Sequence, residues 1–157
     1  FARRSIFAVG GYDLDLLSFP DTVTTSLFDG TFVLRGYAPG AYRGTSYMLN
    51  QLEYRLPLAE VDRGISTVPL YLKRIDANAF LDWGGAFNRF DFNAVRFFKN
   101  GALVDSPNLH TGIGGELWFH ITLAYVVPLQ LRLGYALGLS ATAVPGGQSY
   151  FIAAAAF

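Results

Sequence analysis

Residues 110–127 read HTGIGGELWFHITLAYVV. Ile113, Gly115, Leu117, Phe119, Ile121, Leu123, Tyr125 and Val127 recur at every second position. His110, Gly112, Gly114, Glu116, Trp118, His120, Thr122 and Ala124 fill the positions between. A period of two belongs to a strand, whose successive side chains point to opposite faces. After Pro128 the pattern resumes. Leu129, Leu131, Leu133, Tyr135, Leu137 and Leu139 share one face, and Gln130, Arg132, Gly134, Ala136 and Gly138 share the other. Almost nothing separates the two runs, so strands over 110–127 and 129–139 are expected to form a tight antiparallel hairpin.

Alternation alone fits a soluble sandwich or lipocalin-like barrel as well as a membrane barrel. Two features favour the membrane. The apolar face from Ile113 to Val127 exceeds the roughly 9–11 residues that a tilted strand needs to cross a bilayer, whereas soluble strands average about 5–6. Glu116, His120, Gln130 and Arg132, interleaved with glycines, would be costly in a dry core. They suit the wet lumen of an outer-membrane barrel whose apolar side faces lipid. Tyr125, Tyr135 and Phe157 would then be interfacial girdle residues.

Two further strands are expected upstream. Over 46–57, Leu52, Tyr54 and Leu56 oppose Gln51, Glu53 and Arg55; Leu49 interrupts the pattern and Pro57 is expected to end it. Over 75–87, Ala77, Ala79, Leu81, Trp83 and Phe87 oppose Asp76, Asn78, Asp82, Gly84 and Ala86, with Phe80 an apolar exception on the polar side. Residues 58–74 carry no clear pattern beyond a short extended segment at Thr67–Leu72. A last strand covers 149–157, and residues 3–11 read as the end of an earlier one. Residues 88–108 read as a polar and aromatic loop.

Residues 12–45 form a second loop, of a length that is uncommon in a compact domain and usually functional. It holds Leu34-Arg35-Gly36-Tyr37. Arg35 is expected to reach inward and pair with Asp82. Lipid tolerates no open sheet edge, and six strands would close around almost no lumen. The fold class expected is therefore all-β: an antiparallel transmembrane β-barrel, of which residues 1–157 supply the carboxy-terminal five to six strands and a long lumen-inserted loop.

Composition agrees. The chain is 52% hydrophobic and 16% aromatic but only 15% charged, against a usual quarter, which equips it poorly for a surface wholly in water. Zero net charge gives no reason to expect a nucleic-acid partner. The absence of Cys removes disulfides and thiolate metal sites and fits an oxidising compartment. The uncharged run from Leu133 onward is broken by Pro145-Gly146-Gly147 and has period two, so it is no transmembrane helix. The chain starts Phe1-Ala2-Arg3-Arg4 without a signal peptide and is expected to be a piece of a longer precursor. His110 and His120 lack neighbouring metal ligands, and no nucleophile elbow or phosphate-cradling loop occurs, so neither metal, cofactor nor catalysis is expected.

Several segments, in order, resemble the BamA/TamA-type assembly factors, the bacterial surface antigen family. They are Phe7-Ala8-Val9-Gly10-Gly11, Leu34-Arg35-Gly36-Tyr37, Gln51-Leu52-Glu53-Tyr54-Arg55-Leu56-Pro57, Phe80-x-Asp82-x-Gly84, the hairpin at Pro128 and a terminal Phe157. The resemblance implies a barrel of about sixteen strands. It implies that the loop bearing Arg35, Gly36 and Tyr37 folds into the lumen, where Arg35 pairs with Glu53 and Asp82 on the wall. Phe80 and Gly84 belong to the strand motif, and Phe157 resembles the terminal signal by which such barrels are recognised for insertion. Ala153–Ala156 departs from the family's bulkier residues, and the loop between Gly11 and Leu34 is longer than usual.

The function so implied is to aid insertion or translocation of proteins at the bacterial outer membrane through a lateral seam. Its partners would be outer-membrane lipid, unfolded outer-membrane or secreted protein clients, and accessory lipoproteins. Two rivals share these motifs: a two-partner-type secretion pore, and a membrane anchor or exit port for an upstream hydrolase or propeller domain.

Overall fold

The computed structural model describes residues 6–12, 31–64, 69–89, 96–99, 102–105, 108–124 and 126–155. All regular structure among them is β. In chain order the strands are β1 (Phe7–Gly10), β2 (Thr31–Val33), β3 (Tyr42–Gly44), β4 (Ser46–Gly64), β5 (Leu70–Phe87), β6 (Arg96–Lys99), β7 (Ala102–Asp105), β8 (His110–Leu123), β9 (Val127–Gly138) and β10 (Gln148–Ala155). A five-stranded sheet, β10-β9-β8-β5-β4, dominates, and every pair in it is antiparallel. β1 pairs with β2 in parallel and with β3 antiparallel in a smaller sheet, and β6 and β7 form a separate hairpin.

The period-two pattern sorts the large sheet into two unlike faces. On one, Leu52, Tyr54, Leu56, Leu117, Leu133, Tyr135, Leu137 and Phe151 stand exposed. On the other, Asp76, Asn78, Phe80, Asp82, Glu116, Trp118 and Tyr150 are buried. The sheet thus covers its polar face and leaves its greasy face bare, the reverse of an ordinary soluble domain. Segment 31–45 does much of the covering. Val9, Leu34 and Tyr37 form a buried cluster with Tyr42, Leu49, Ala86 and Ala143, and Phe80, Ala136 and Tyr150 form a second with Tyr12 and Ile152.

The expected strands are all present, with altered ends. Pro57 does not stop β4, which runs on to Gly64, and β5 begins at Leu70 rather than 75. Residues 58–64 and 70–74, unpatterned by eye, complete the β4–β5 hairpin. Their alternation is scrambled by register shifts between Pro57 and Ala59 and between Glu60 and Arg63. Each inserts an extra residue and breaks the period of two. Proline is tolerated because β4 flanks the described sheet, where a missing N–H need not break a ladder on both sides.

The central hairpin turns earlier than expected. β8 stops at Leu123, Ala124 takes a positive φ of 51°, and Pro128 lies inside β9 opposite Thr122. The loop over 88–108 holds the β6–β7 hairpin, and the stretch over 12–45 holds β2 and β3. β1 pairs in the small sheet, not the large one. Tyr125 and Phe157 lie outside the described residues, so the terminal-signal expectation falls there too. At one end of the large sheet few residues separate the paired strands in sequence (Gly64 from Leu70, Leu123 from Val127), and at the other end many more do (Phe87 from His110, Gly138 from Gln148).

Candidate functional site

Arg35 occupies the centre of the covered face. Its turn is held between β1 and the connection from β9 to β10: Leu34 N–H donates to Gly10 O, and Val144 N–H donates to Gly36 O. Gly36 has φ +91°, a left-handed conformation that an L side chain resists. A Cβ there would also lie 2.5 Å from Gly138 N. Across the sheet, a Cβ on Gly112 would lie 2.1 Å from Arg35 O. The inner glycines of β8 and β9 are therefore the floor on which the Arg35-Gly36-Tyr37 turn lies. Tyr37 is fully buried; its hydroxyl donates to Thr111 O at 2.6 Å and accepts from Ser140 Oγ at 3.0 Å.

The guanidinium meets Asp82 with a fork. Nε donates to Oδ2 at 2.6 Å and Nη2 to Oδ1 at 2.7 Å, while the Arg35 backbone N–H reaches Oδ2 at 3.3 Å. Asp82 is 0% exposed and Arg35 3%. Such bidentate charge-assisted pairs fix geometry as well as energy. Nη1 completes the set, 3.1 Å from Glu53 Oε1 and 3.1 Å from Glu116 Oε1. The Phe80 ring lies beneath, 3.6 Å from Arg35 Cζ. Burial works to lower the pKa of Arg35, but the hydrogen bonds and charge of Asp82, and then the charge of Glu116, outweigh it and hold it above the ordinary arginine value.

Both expected wall partners are thus brought to Arg35. Glu53 divides itself, with its Oε2 2.9 Å from Arg55 Nη2. Gly84 is buried and lets β4 come close, since a Cβ there would sit 2.3 Å from Met48 O.

Glu116, read from sequence as one of many polar residues on its face, is a full member of the site. Besides Arg35 it accepts from Asn78 Nδ2 at 3.1 Å, from Trp118 Nε1 and from the Tyr150 hydroxyl. Its donors come from the Arg35 turn, β5, β8 and β10, so one carboxylate ties three strands of the sheet to the inserted segment. Tyr150 has room because its ring fills the place of a side chain on Gly134, where a Cβ would meet Cζ at 2.2 Å. Tyr12 tilts against Tyr150 with ring centroids 4.9 Å apart, and burial pushes its hydroxyl up to about 12.

Farther along the face, Asp76 Oδ2 lies 2.9 Å from His120 Nε2, and Asp76 Oδ1 2.8 Å from Arg74 Nε. His110 stacks on Tyr42, ring centroids 3.8 Å apart. Among the described residues no three His, Asp or Glu side chains converge in a metal-sized group. Together these contacts fasten the Arg35 turn to the polar face of the large sheet. No known protein family, no curated protein and no solved structure matches the chain.

Proposed function

We propose that the chain is the carboxy-terminal wall of an outer-membrane β-barrel of the assembly or translocation type, with Arg35 anchoring a loop inside its lumen. One observation carries the reading. The five-stranded sheet buries ionised side chains under a loop and leaves an apolar face of Leu, Tyr and Phe bare. Lipid solvates such a face, and a water-filled lumen suits the polar one. The uninterrupted pairing of β8 with β9 from Gly112↔Gly138 to Leu123↔Val127 is long enough to cross a bilayer. Short turns at one end and long loops at the other match the periplasmic and outer ends of such barrels.

In this reading the protein works without a cofactor. Its seam lets incoming β-strands pair by edge addition, and its partners are outer-membrane lipid, unfolded protein clients and accessory lipoproteins. The loop anchor keeps the lumen ordered while the seam works. The test is a charge exchange in the intact protein. Asp82→Arg is expected to abolish heat-modifiable gel mobility and outer-membrane fractionation, and Arg35→Asp added to it to restore part of both. Wild-type protein found in the soluble fraction would refute the membrane assignment. Normal mobility in both single variants would refute the anchor.

A further inference from the structure

The bare face of the large sheet is not evenly filled. Behind the Glu116 cluster it holds a recess of about 540 Å³, lined by Ala77, Gly115, Leu117, Leu133, Tyr135 and Ser149. The sequence makes this hollow by setting two small residues, Ala77 and Gly115, among Leu117, Leu133 and Tyr135, which stand exposed around them. A Cβ on Gly115 would find only Asn78 O, at 3.5 Å, so no packing within the chain calls for glycine there.

The recess has one polar handle. Asn78 and Tyr150 border it too, but both donate to Glu116 on the covered face. The Tyr135 hydroxyl donates to Gly146 O in the connection from β9 to β10. That leaves Ser149, which is exposed and has no hydrogen-bond partner among the described residues. Ser149 faces Tyr135 across the β9–β10 ladder, near the end where β9 stops at Gly138 and β10 begins at Gln148. Leu117 and Leu133, partners across the β8–β9 ladder, lie deeper along their strands.

We propose that this recess binds one acyl chain of an ester-linked membrane lipid, whose ester carbonyl accepts a hydrogen bond from Ser149. The inference rests on the reading that the bare face meets lipid. A hydroxyl left without a partner in an apolar layer costs free energy. An ester answers it with acceptors and brings no donor of its own to be stranded, and its chain then runs along Leu117 and Leu133. The change from Ser149 to Leu117 follows that of a bilayer from its interface to its core, with Tyr135 at the level where amphipathic rings gather. A polypeptide is the poorer occupant. The strands beneath the recess are paired in continuous ladders, so a peptide lying on them would bring N–H groups into the apolar layer with nothing to accept them.

The test uses the intact protein in vesicles of dioleoyl phosphatidylcholine with a trace of the same lipid carrying a photoreactive diazirine midway along one chain. Flotation on a density gradient first establishes insertion. After irradiation, peptide mapping is expected to place the label around Leu117 and Leu133, in excess over residues 52–56 of β4, which are at least as bare. Gly115→Leu, which fills the recess, is expected to cut that label severalfold and leave the β4 label unchanged. An ether-linked probe, which lacks the carbonyl, is expected to label the recess about fivefold less, the worth of one net hydrogen bond. Ser149→Ala is expected to erase that difference, and it carries the test if Gly115→Leu does not fold. Even labelling of the recess and β4, an undiminished label in Gly115→Leu, or an ester preference that survives Ser149→Ala would overturn the proposal. An unlabelled recess in protein that sediments as a dimer would overturn it too, by giving the recess to a second copy. Protein left behind when the vesicles float would refute the membrane reading itself, a result distinct from floating protein with an unlabelled recess.

Discussion

The hydroxyl of Tyr150 donates to the same Oε1 of Glu116 that receives Nη1 of Arg35. A single carboxylate oxygen therefore joins the inserted turn to the last strand. Tyr150→Phe removes one of four donor side chains and leaves Glu116 buried, which is expected to cost about 1–3 kcal/mol. The loss should appear as a lower urea midpoint of tryptophan fluorescence. An unchanged midpoint would mean that the Tyr150 contact contributes nothing to holding β10.

Phe80 is expected to matter through its ring. Phe80→Leu keeps an apolar side chain of similar reach but removes the π face beneath Arg35. A desolvated cation–π contact is worth about 2 kcal/mol, and the midpoint should fall accordingly. If Phe80→Leu and Phe80→Tyr behave alike, the stacked guanidinium is not what this position supplies.

Glycines on the two faces of β8 should respond oppositely. A Cβ on Gly112 would lie 2.1 Å from Arg35 O, whereas on Gly115, three residues along and on the bare face, its nearest neighbour would be Asn78 O at 3.5 Å. Gly112→Ala is expected to displace the Arg35 turn, costing about 1–3 kcal/mol and exposing Arg35 and Arg43 to trypsin. Gly115→Ala should be neutral to within about 0.5 kcal/mol. Equal trypsin resistance in both variants would contradict the close seating of the turn.

The raised pKa of Tyr12 gives a pH signature. Its folded value of about 12 lies above the ordinary 10.0, so the folded state holds the phenolic proton more tightly than the unfolded chain does. That contribution is complete below pH 10 and is lost as pH rises through about 12. Urea midpoints measured across this window should fall. In Tyr12→Phe the fall should be shallower but not absent, because burial also raises the pKa of Tyr37.

Much of this arrangement was legible because period two leaves an unambiguous trace. Asp82 and Glu53 fall on the polar face by counting alone, and the structure brings both to Arg35. The two residues that spoiled the alternation, Leu49 and Phe80, turn out to be informative. Leu49 packs against the cluster of Val9, Leu34 and Tyr37, and Phe80 lies under Arg35. An apolar residue at a polar position marked where the Arg35 segment touches the large sheet.

Glu116 was illegible for the opposite reason. It looked like any other polar residue on its face, and its donors Arg35 and Tyr150 are distant in sequence. The ends of β4 and β5 were hidden by the register shifts, since one extra residue inverts the parity on which the reading depends.

Those shifts have a further consequence. From Ser46↔Phe87 to Pro57↔Asp76 the β4–β5 ladder is unbroken; past Pro57 it is bulged twice. Bulges bend and twist a strand, and proline removes a donor, two of the devices that keep exposed edges from recruiting unwanted neighbours. Any strand docking alongside β4 finds a straight template only between Ser46 and Leu56, about the length that spans a bilayer. In a closed barrel the strand next to β4 therefore pairs in regular register up to Leu56 and has to follow the bulges beyond Pro57.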